Sequence, residues 1–229
     1  MARDYSDEIR GVLNDCLSPD ELETMQSFWG ELDELLNDSG VTYWADSGTL
    51  IGAVRHEGVI PWDDDIDIAL PAESRERLEL SEWRLSDAGF VLDWNRSWPK
   101  IWHSKGRAIP SQHHKWPFAD LFFLEEREVR GSRTKGYFYA GKASTSWPHH
   151  MYHPSEVMPL QRAPFGDHEI WVPSKASAVL DRQYPTWRTV ANSGAYDHRR
   201  ERIKHAFEAP LAQVASAYEQ RFGRGMRIV

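Results

Sequence analysis

The strongest constraint on this chain is a run of four aspartates in five positions, Asp63-Asp64-Asp65-Ile66-Asp67, set between Trp62 and the apolar residues Ile68 and Leu70. Side chains alternate between faces along a strand, so Ile66 and Ile68 enter a core while Asp65 and Asp67 share the other face, roughly 7 Å apart at Cα. Asp63 has the parity of that pair and Asp64 the opposite one. Two carboxylates on one face repel each other, and a divalent cation removes the conflict; hard Mg²⁺ or Mn²⁺ suits ligation by oxygen alone. A charge run is ordinarily solvated, but the flanking tryptophan and aliphatic residues oppose a fully solvated segment. A calcium loop fits less well. Asp63, Asp65 and Asp67 match its first, third and fifth ligands, yet Ile68 stands where the turn needs glycine and Ser74 where the last position needs glutamate.

The surrounding pattern is that of helices flanking a mixed sheet, an α+β chain read as one domain over 1–229, with a motif core at about 41–124 and a helical part at about 174–221. Ser18-Pro19-Asp20-Glu21 opens a helix, with Ser18 and Glu21 as a capping box, and Leu22, Met25, Trp29, Leu32 and Leu36 continue it at helical spacing up to Gly40. A short strand is expected over Val41–Trp44, a short helix from Thr49 to about His56, and a strand over Ile66–Leu70. Leu78, Leu85 and Ala88 share the stripe of another helix, closed by Gly89. Strands follow over Phe90–Trp94, Ile101–His103 and Phe118–Leu124. Arg130 to Pro173 is too rich in Gly, Pro and His for a definite reading. Helices return over Ser174–Gln183 and from about Asp197 to Arg221.

Three features sit near the acidic run. Ser47-Gly48-Thr49 begins a short helix whose free N–H groups suit a phosphate oxygen. Arg55 lies between that turn and the aspartates, as a second phosphate clamp or a surface ion-pair residue. Asp120 stands inside an otherwise apolar strand, where an unpaired charge costs several kcal/mol. It needs a partner, either in a structural salt bridge or as a third metal ligand or the base for an attacking hydroxyl.

Composition removes several classes. A formal charge of -8 argues against a nucleic-acid partner. No apolar stretch is long enough for a membrane helix and the N-terminus lacks the order of a secretory signal, so a cytoplasmic location is expected. Cys16 is the only cysteine, which rules out an internal disulfide and a cysteine-based zinc site. There is no P-loop, no Gly-x-Ser-x-Gly elbow and no His-Glu-x-x-His. His113, His114, His149, His150 and His153 suggest zinc, but Pro148 and Pro154 interrupt any regular metal-binding helix and favour a structural or exposed role. The eleven tryptophans are packing residues or a stacking surface for sugar or base rings.

The stretch Asp46-Ser47-Gly48-Thr49-Leu50-Ile51-Gly52-Ala53-Val54-Arg55-His56, followed by Ile60-Pro61-Trp62-Asp63-Asp64-Asp65-Ile66-Asp67-Ile68, resembles the signature of the LicD family. That family includes bacterial phosphocholine transferases and, more distantly, the fukutin-related ribitol-phosphate transferases. Phe118-Ala119-Asp120-Leu121-Phe122 resembles its later Asp-bearing strand, and Val172-Pro173, Leu180, Tyr184 and Trp187 resemble its C-terminal segment, with Pro185 in place of an expected glycine. The resemblance implies the nucleotidyltransferase fold related to DNA polymerase β. It also implies a metal-dependent phosphotransferase that moves a phospho-alcohol from a CDP-linked donor to a hydroxyl of a glycan or glycolipid acceptor, with CMP leaving. Carried over residue by residue, Asp65 and Asp67 are metal ligands and Asp120 a ligand or base. Gly48, Thr49 and Arg55 contact the donor phosphates, and Lys100 neutralises charge on the same donor. Two other readings stay open: a nucleotidyltransferase using a nucleoside triphosphate, and a glycan-binding module without catalysis.

Overall fold

In a computed structural model that describes residues 3–229, two helices come first: α1 (Ser6–Asp15) and α2 (Pro19–Asp38). The expected capping box opens α2, with the Glu21 N–H donating to Ser18 Oγ and the Ser18 N–H to Glu21. The apolar stripe of α2 buries Met25, Trp29, Leu32 and Leu36. Next come β1 (Trp44–Ala45), α3 (Ser47–Ile51) and one turn of π-helix, Gly52–His56. The strand β1 begins later than the Val41 expected.

The acidic run leads into β2 (Ile66–Pro71). The single helix expected around Leu78 and Leu85 is two, α4 (Ser74–Leu80) and α5 (Glu82–Asp87), broken at Ser81, whose hydroxyl donates back to the carbonyl of Arg77. Then follow β3 (Phe90–Asp93), β4 (Lys100–Ala108) and β5 (Lys115–Glu128), the last two much longer than their apolar segments suggested. The segment without a definite reading holds β6 (Lys135–Tyr139), α6 (Ala143–Ser146), β7 (Met151–Tyr152), α7 (Pro154–Val157) and the hairpin of β8 (Gln161–Phe165) with β9 (His168–Val172).

Helix α8 (Ala176–Gln183) is as expected. The helix expected from Asp197 is a correction: only α9 (Leu211–Phe222) is helical there. Before it run the strands β10 (Val190–Asn192), β11 (Tyr196–Asp197), β12 (Arg202–Ile203) and β13 (Glu208–Pro210). The carboxylate of Asp197 accepts from Arg200 and so caps a turn, while Pro210, which has no N–H to donate, stands at the start of α9.

The main sheet runs β1-β2-β5-β4-β3, with β6 and β7 continuing from the far end of β5. β2 and β5 are parallel and the other pairs antiparallel, which makes the sheet mixed. Its core takes α2, the alternating isoleucines of β2 and the apolar face of β5, with Ile66, Ile68, Ala119 and Leu121 almost fully buried. A second apolar cluster joins Val12 and Leu13 of α1 to Leu211, Val214 and Tyr218 of α9, with Ile60 and Trp62 between them. Among the described residues no helix is long and apolar enough to cross a membrane.

Candidate active site

The β2–β5 register sets Asp67 directly beside Asp120, and the β4–β5 register sets Lys100 opposite Asp120 on the other edge. Three carboxylates therefore converge: Asp65, Asp67 and Asp120 each offer an oxygen, and these lie within 4.8 Å of one another. Lys100 Nζ is 2.5 Å from Asp120 Oδ1 and 3.9 Å from the centre of the Phe118 ring, so it is held by an ion pair and a cation–π contact at once. Both readings of Asp120 thus coincide in one place, a buried salt bridge and membership of the acidic cluster.

The electrostatics of the cluster are those of anions short of positive charge. Burial, then the neighbouring Asp65 and Asp120, pushes the Asp67 carboxyl well above its ordinary value. Burial also pushes Asp65 up to about 6, with Asp120 and Asp64 adding to the rise and His198 opposing it. Asp63 is pushed up to about 8 by burial and by Asp65 and Asp64. A donor set made only of carboxylate oxygens, each destabilised by the others, fits a hard divalent cation.

Neighbouring segments fix this set in place. The hydroxyl of Thr49 accepts the N–H of Asp67 at 2.8 Å, so Thr49 positions the strand and does not line the cavity in front of it. Gly48 does line it, and a Cβ there would collide with the Asp63 carboxylate; the backbone approaches because that residue has no side chain. Asp64 stands outside that trio, though it offers an oxygen within 4.8 Å of ligand atoms of Asp65 and His198; its carboxylate accepts the backbone N–H of Arg199 at 3.1 Å and forms an ion pair with Arg199 Nε at 3.4 Å.

Arg55 is placed differently from the clamp expected of it. Its guanidinium is buried and donates to the carbonyls of Trp187 and Val190, while its Nε donates to His56 Nε2. It does not line the cavity of the three carboxylates. Burial brings its pKa down to about 10, with Asp63 opposing the fall.

Several residues at the site had no site role assigned from the sequence. Asp46, fully buried, caps α3 through the Ser47 N–H and accepts from the hydroxyls of Tyr139 and Tyr152, with His150 Nε2 at 3.3 Å. Burial raises its pKa, but His150 and the two tyrosines outweigh that and hold it below the ordinary value. His198 Nε2 lies 3.3 Å from Asp65 Oδ2. Burial opposes a charge on His198, yet Asp65, Glu201 and Asp64 raise it to about 9. Glu201, held low against burial by His114 and His198, links those two histidines. His114 is a fully buried partner of Glu201, while His150, half-buried, stands beside Asp46 and lines the cavity.

All of this faces a cavity of about 640 Å³. Its floor is Asp65, Asp67, Asp120 and Lys100, and one wall is aromatic, with Trp98, Phe122, Tyr139 and Trp147 packed ring to ring. Trp29, Trp44, Trp102 and Trp116 are core residues, so the tryptophans divide between packing and cavity walls.

Residues 40–175 match the family described as LicD/FKTN/FKRP, nucleotidyltransferase domain. An uncharacterised protein of Rickettsia prowazekii is 30% identical over 67% of this chain and 51% of its own length. The human ribitol 5-phosphate transferase FKRP is 30% identical over 55% of this chain and 25% of its own. The lipopolysaccharide cholinephosphotransferase LicD of Haemophilus influenzae is 51% identical over a short stretch, 16% of this chain and 14% of its own. The chain thus spans about half or less of the length of these relatives.

Proposed function

Because this chain belongs to the LicD/FKTN/FKRP family and has its nucleotidyltransferase domain, we propose that it transfers a phospho-alcohol, such as phosphocholine or ribitol phosphate, from a CDP-linked donor to a hydroxyl of a glycan. The observation that carries this reading is the convergence of Asp65, Asp67 and Asp120 at one end of a cavity large enough for a nucleotide-linked donor. Those three carboxylates are the residues that would hold Mg²⁺ or Mn²⁺. Such an ion supplies charge neutralisation on the donor phosphates and helps to orient them.

The remaining work falls to the chain itself, and phosphoryl transfer needs chiefly positioning and charge neutralisation. Lys100 adds a fixed positive charge beside Asp120. Gly48 lets the donor approach the backbone at the start of α3, and Thr49 keeps Asp67 in register. Arg55 supports the wall of the site through the carbonyls it binds. The acceptor oxygen forms a bond to the phosphorus nearer the alcohol as the bond from that phosphorus to the bridging oxygen breaks. CMP leaves, and the hydroxyl proton passes to a carboxylate lining the cavity.

The test is release of CMP from CDP-choline, CDP-ribitol and CDP-glycerol with and without Mg²⁺. Metal-dependent CMP release from at least one of them is expected. Pyrophosphate release from a nucleoside triphosphate, with no CMP from any CDP-alcohol, would overturn the reading in favour of nucleotidyl transfer.

A further inference from the structure

A second cavity, of about 560 Å³, opens beside the first. The two share Gly48, Asp63, Tyr184, Tyr196 and His198, and beyond that waist their linings differ. The first has the acidic floor and Lys100. The second is walled by the chain from Gln183 to His198, closed by Trp62, whose indole N–H donates to the carbonyl of Asn192 at 2.8 Å. Its one arginine, Arg55, is spent on backbone carbonyls and on His56, and no lysine lines it. His198, at the waist, is paired with Asp65 and Glu201, so among the described residues no unpaired cation in that lining is left to hold a phosphate, and a second nucleotide is a poor occupant.

The lining does offer ring faces and hydrogen-bonding groups. Trp62, Tyr184, Trp187 and Tyr196 supply the rings, which suit a flat apolar face bearing polar edges. Gln183 stands at the edge of the lining, its Nε2 donating to the carbonyl of Met151 at 3.2 Å, and Thr186 and Asn192 add polar groups at exposed positions. A transferase also needs two substrates to meet at one point, and two cavities joined at a waist beside the carboxylates provide that.

On the reading of the chain as a phospho-alcohol transferase, we propose that this second cavity is the acceptor subsite and takes an uncharged sugar ring, whose hydroxyl reaches the donor phosphorus through the waist.

The experiment uses the full chain and saturation-transfer NMR with methyl glucoside, methyl galactoside and methyl N-acetylglucosaminide as probes. Ala195, exposed and on the lining of the second cavity only, is changed to Trp to fill it; Thr186→Trp does so from another exposed position of the same lining. At least one glycoside should bind the unaltered chain, and either substitution should weaken it by about tenfold or more, since filling a subsite removes its central contacts. CMP, measured in the same samples, should still bind and should not displace the glycoside. Failure of all three glycosides to bind, binding unaffected by both substitutions, or displacement by CMP would each overturn the proposal. The transfer reading fails separately, by absence of metal-dependent CMP release, and a glycoside held in the second cavity would survive that result.

Discussion

The parallel pair β2–β5 and the segment from Tyr184 to Glu201 line the same cavity by opposite means. The strands do so with regular structure: hydrogen-bonded register alone brings Asp67 beside Asp120, and burial of alternate isoleucines fixes which face the carboxylates take. The later segment does so with turns and two-residue strands, held by single side-chain contacts such as Arg199 to Asp64 and Arg55 to Trp187 and Val190. The strands lie inside the residues that match the family and the segment lies outside them. On the proposed function, the regular strands would hold the reaction centre and the irregular segment the acceptor.

The largest effects are expected on the strands. Asp65→Asn and Asp67→Asn should each lower transfer by more than about 100-fold, the upper end of what is lost when even groups that only support metal ligands are changed. The fold should survive, and the metal-free variants should melt at higher temperature than the unaltered chain, because a buried repulsion is relieved. Full activity of either variant at saturating Mg²⁺ would break the division of labour between the two regions.

Asp120→Asn comes next. It should weaken Mg²⁺ binding, read by calorimetry, by about 10- to 100-fold and lower turnover with it. A residue that only paired with Lys100 would instead cost stability and leave metal binding as it was.

Arg55 links the regions, so it sharpens the contrast most directly. Arg55→Ala should destabilise the chain by about 2–4 kcal/mol in urea, since it strips buried carbonyls of a charged donor. Arg55→Lys should recover part of that loss, because lysine keeps a charge but not the planar fork. Affinity of the folded variants for CDP should change little. A large loss of CDP affinity with stability intact would return Arg55 to the phosphate-clamp role its position in the motif suggested.

The smallest expected effect is one of pH. Burial, then Arg55, lowers His56 from 6.5 to about 3, and its neutral ring accepts from Arg55 Nε while Nδ1 faces the carbonyl of Arg227. Below its unfolded pKa the unfolded chain takes up a proton that the folded chain refuses. Stability tied to His56 is therefore full above about pH 6.5 and falls as pH drops toward 3. His56→Gln should shrink the stability difference between pH 7 and about pH 5.5 by about 1 kcal/mol. An unchanged difference would mean that the ring is not buried as the contact between the regions requires.

The same contrast explains what could be read in advance. Helix α2 announced itself through a capping box and a helical stripe, β2 through alternation, and Asp120 through one charge in an apolar run; each is a local pattern with a period. Asp46 gave no such sign, because its partners Tyr139 and Tyr152 stand 93 and 106 residues further along the chain. Tyr184, Tyr196, His198 and Glu201 sit where short strands and turns have no period to detect. The helix expected from Asp197 failed for the same reason, since the apolar residues after it do not show that Pro210 and the Asp197 turn divide them. Arg55 was misleading in another way. Its place between the glycine turn and the aspartates fitted a clamp, and only its burial against distant carbonyls gives it a different occupation.

The cluster that joins α1 to α9 bears on how much of the chain folds by itself. Only Ile60 and Trp62 of its buried members fall inside the residues that define family membership; the rest come from both ends of the chain. A fragment cut to residues 40–175 would present those two side chains to water, and would also lose Trp29 and Leu32 of α2 from the main core. Apolar surface exposed on that scale favours aggregation over a stable monomer. The stretch that matches the family is therefore smaller than the two cores it helps to build, and a fragment made for biophysical work should extend at least from α1 to α9.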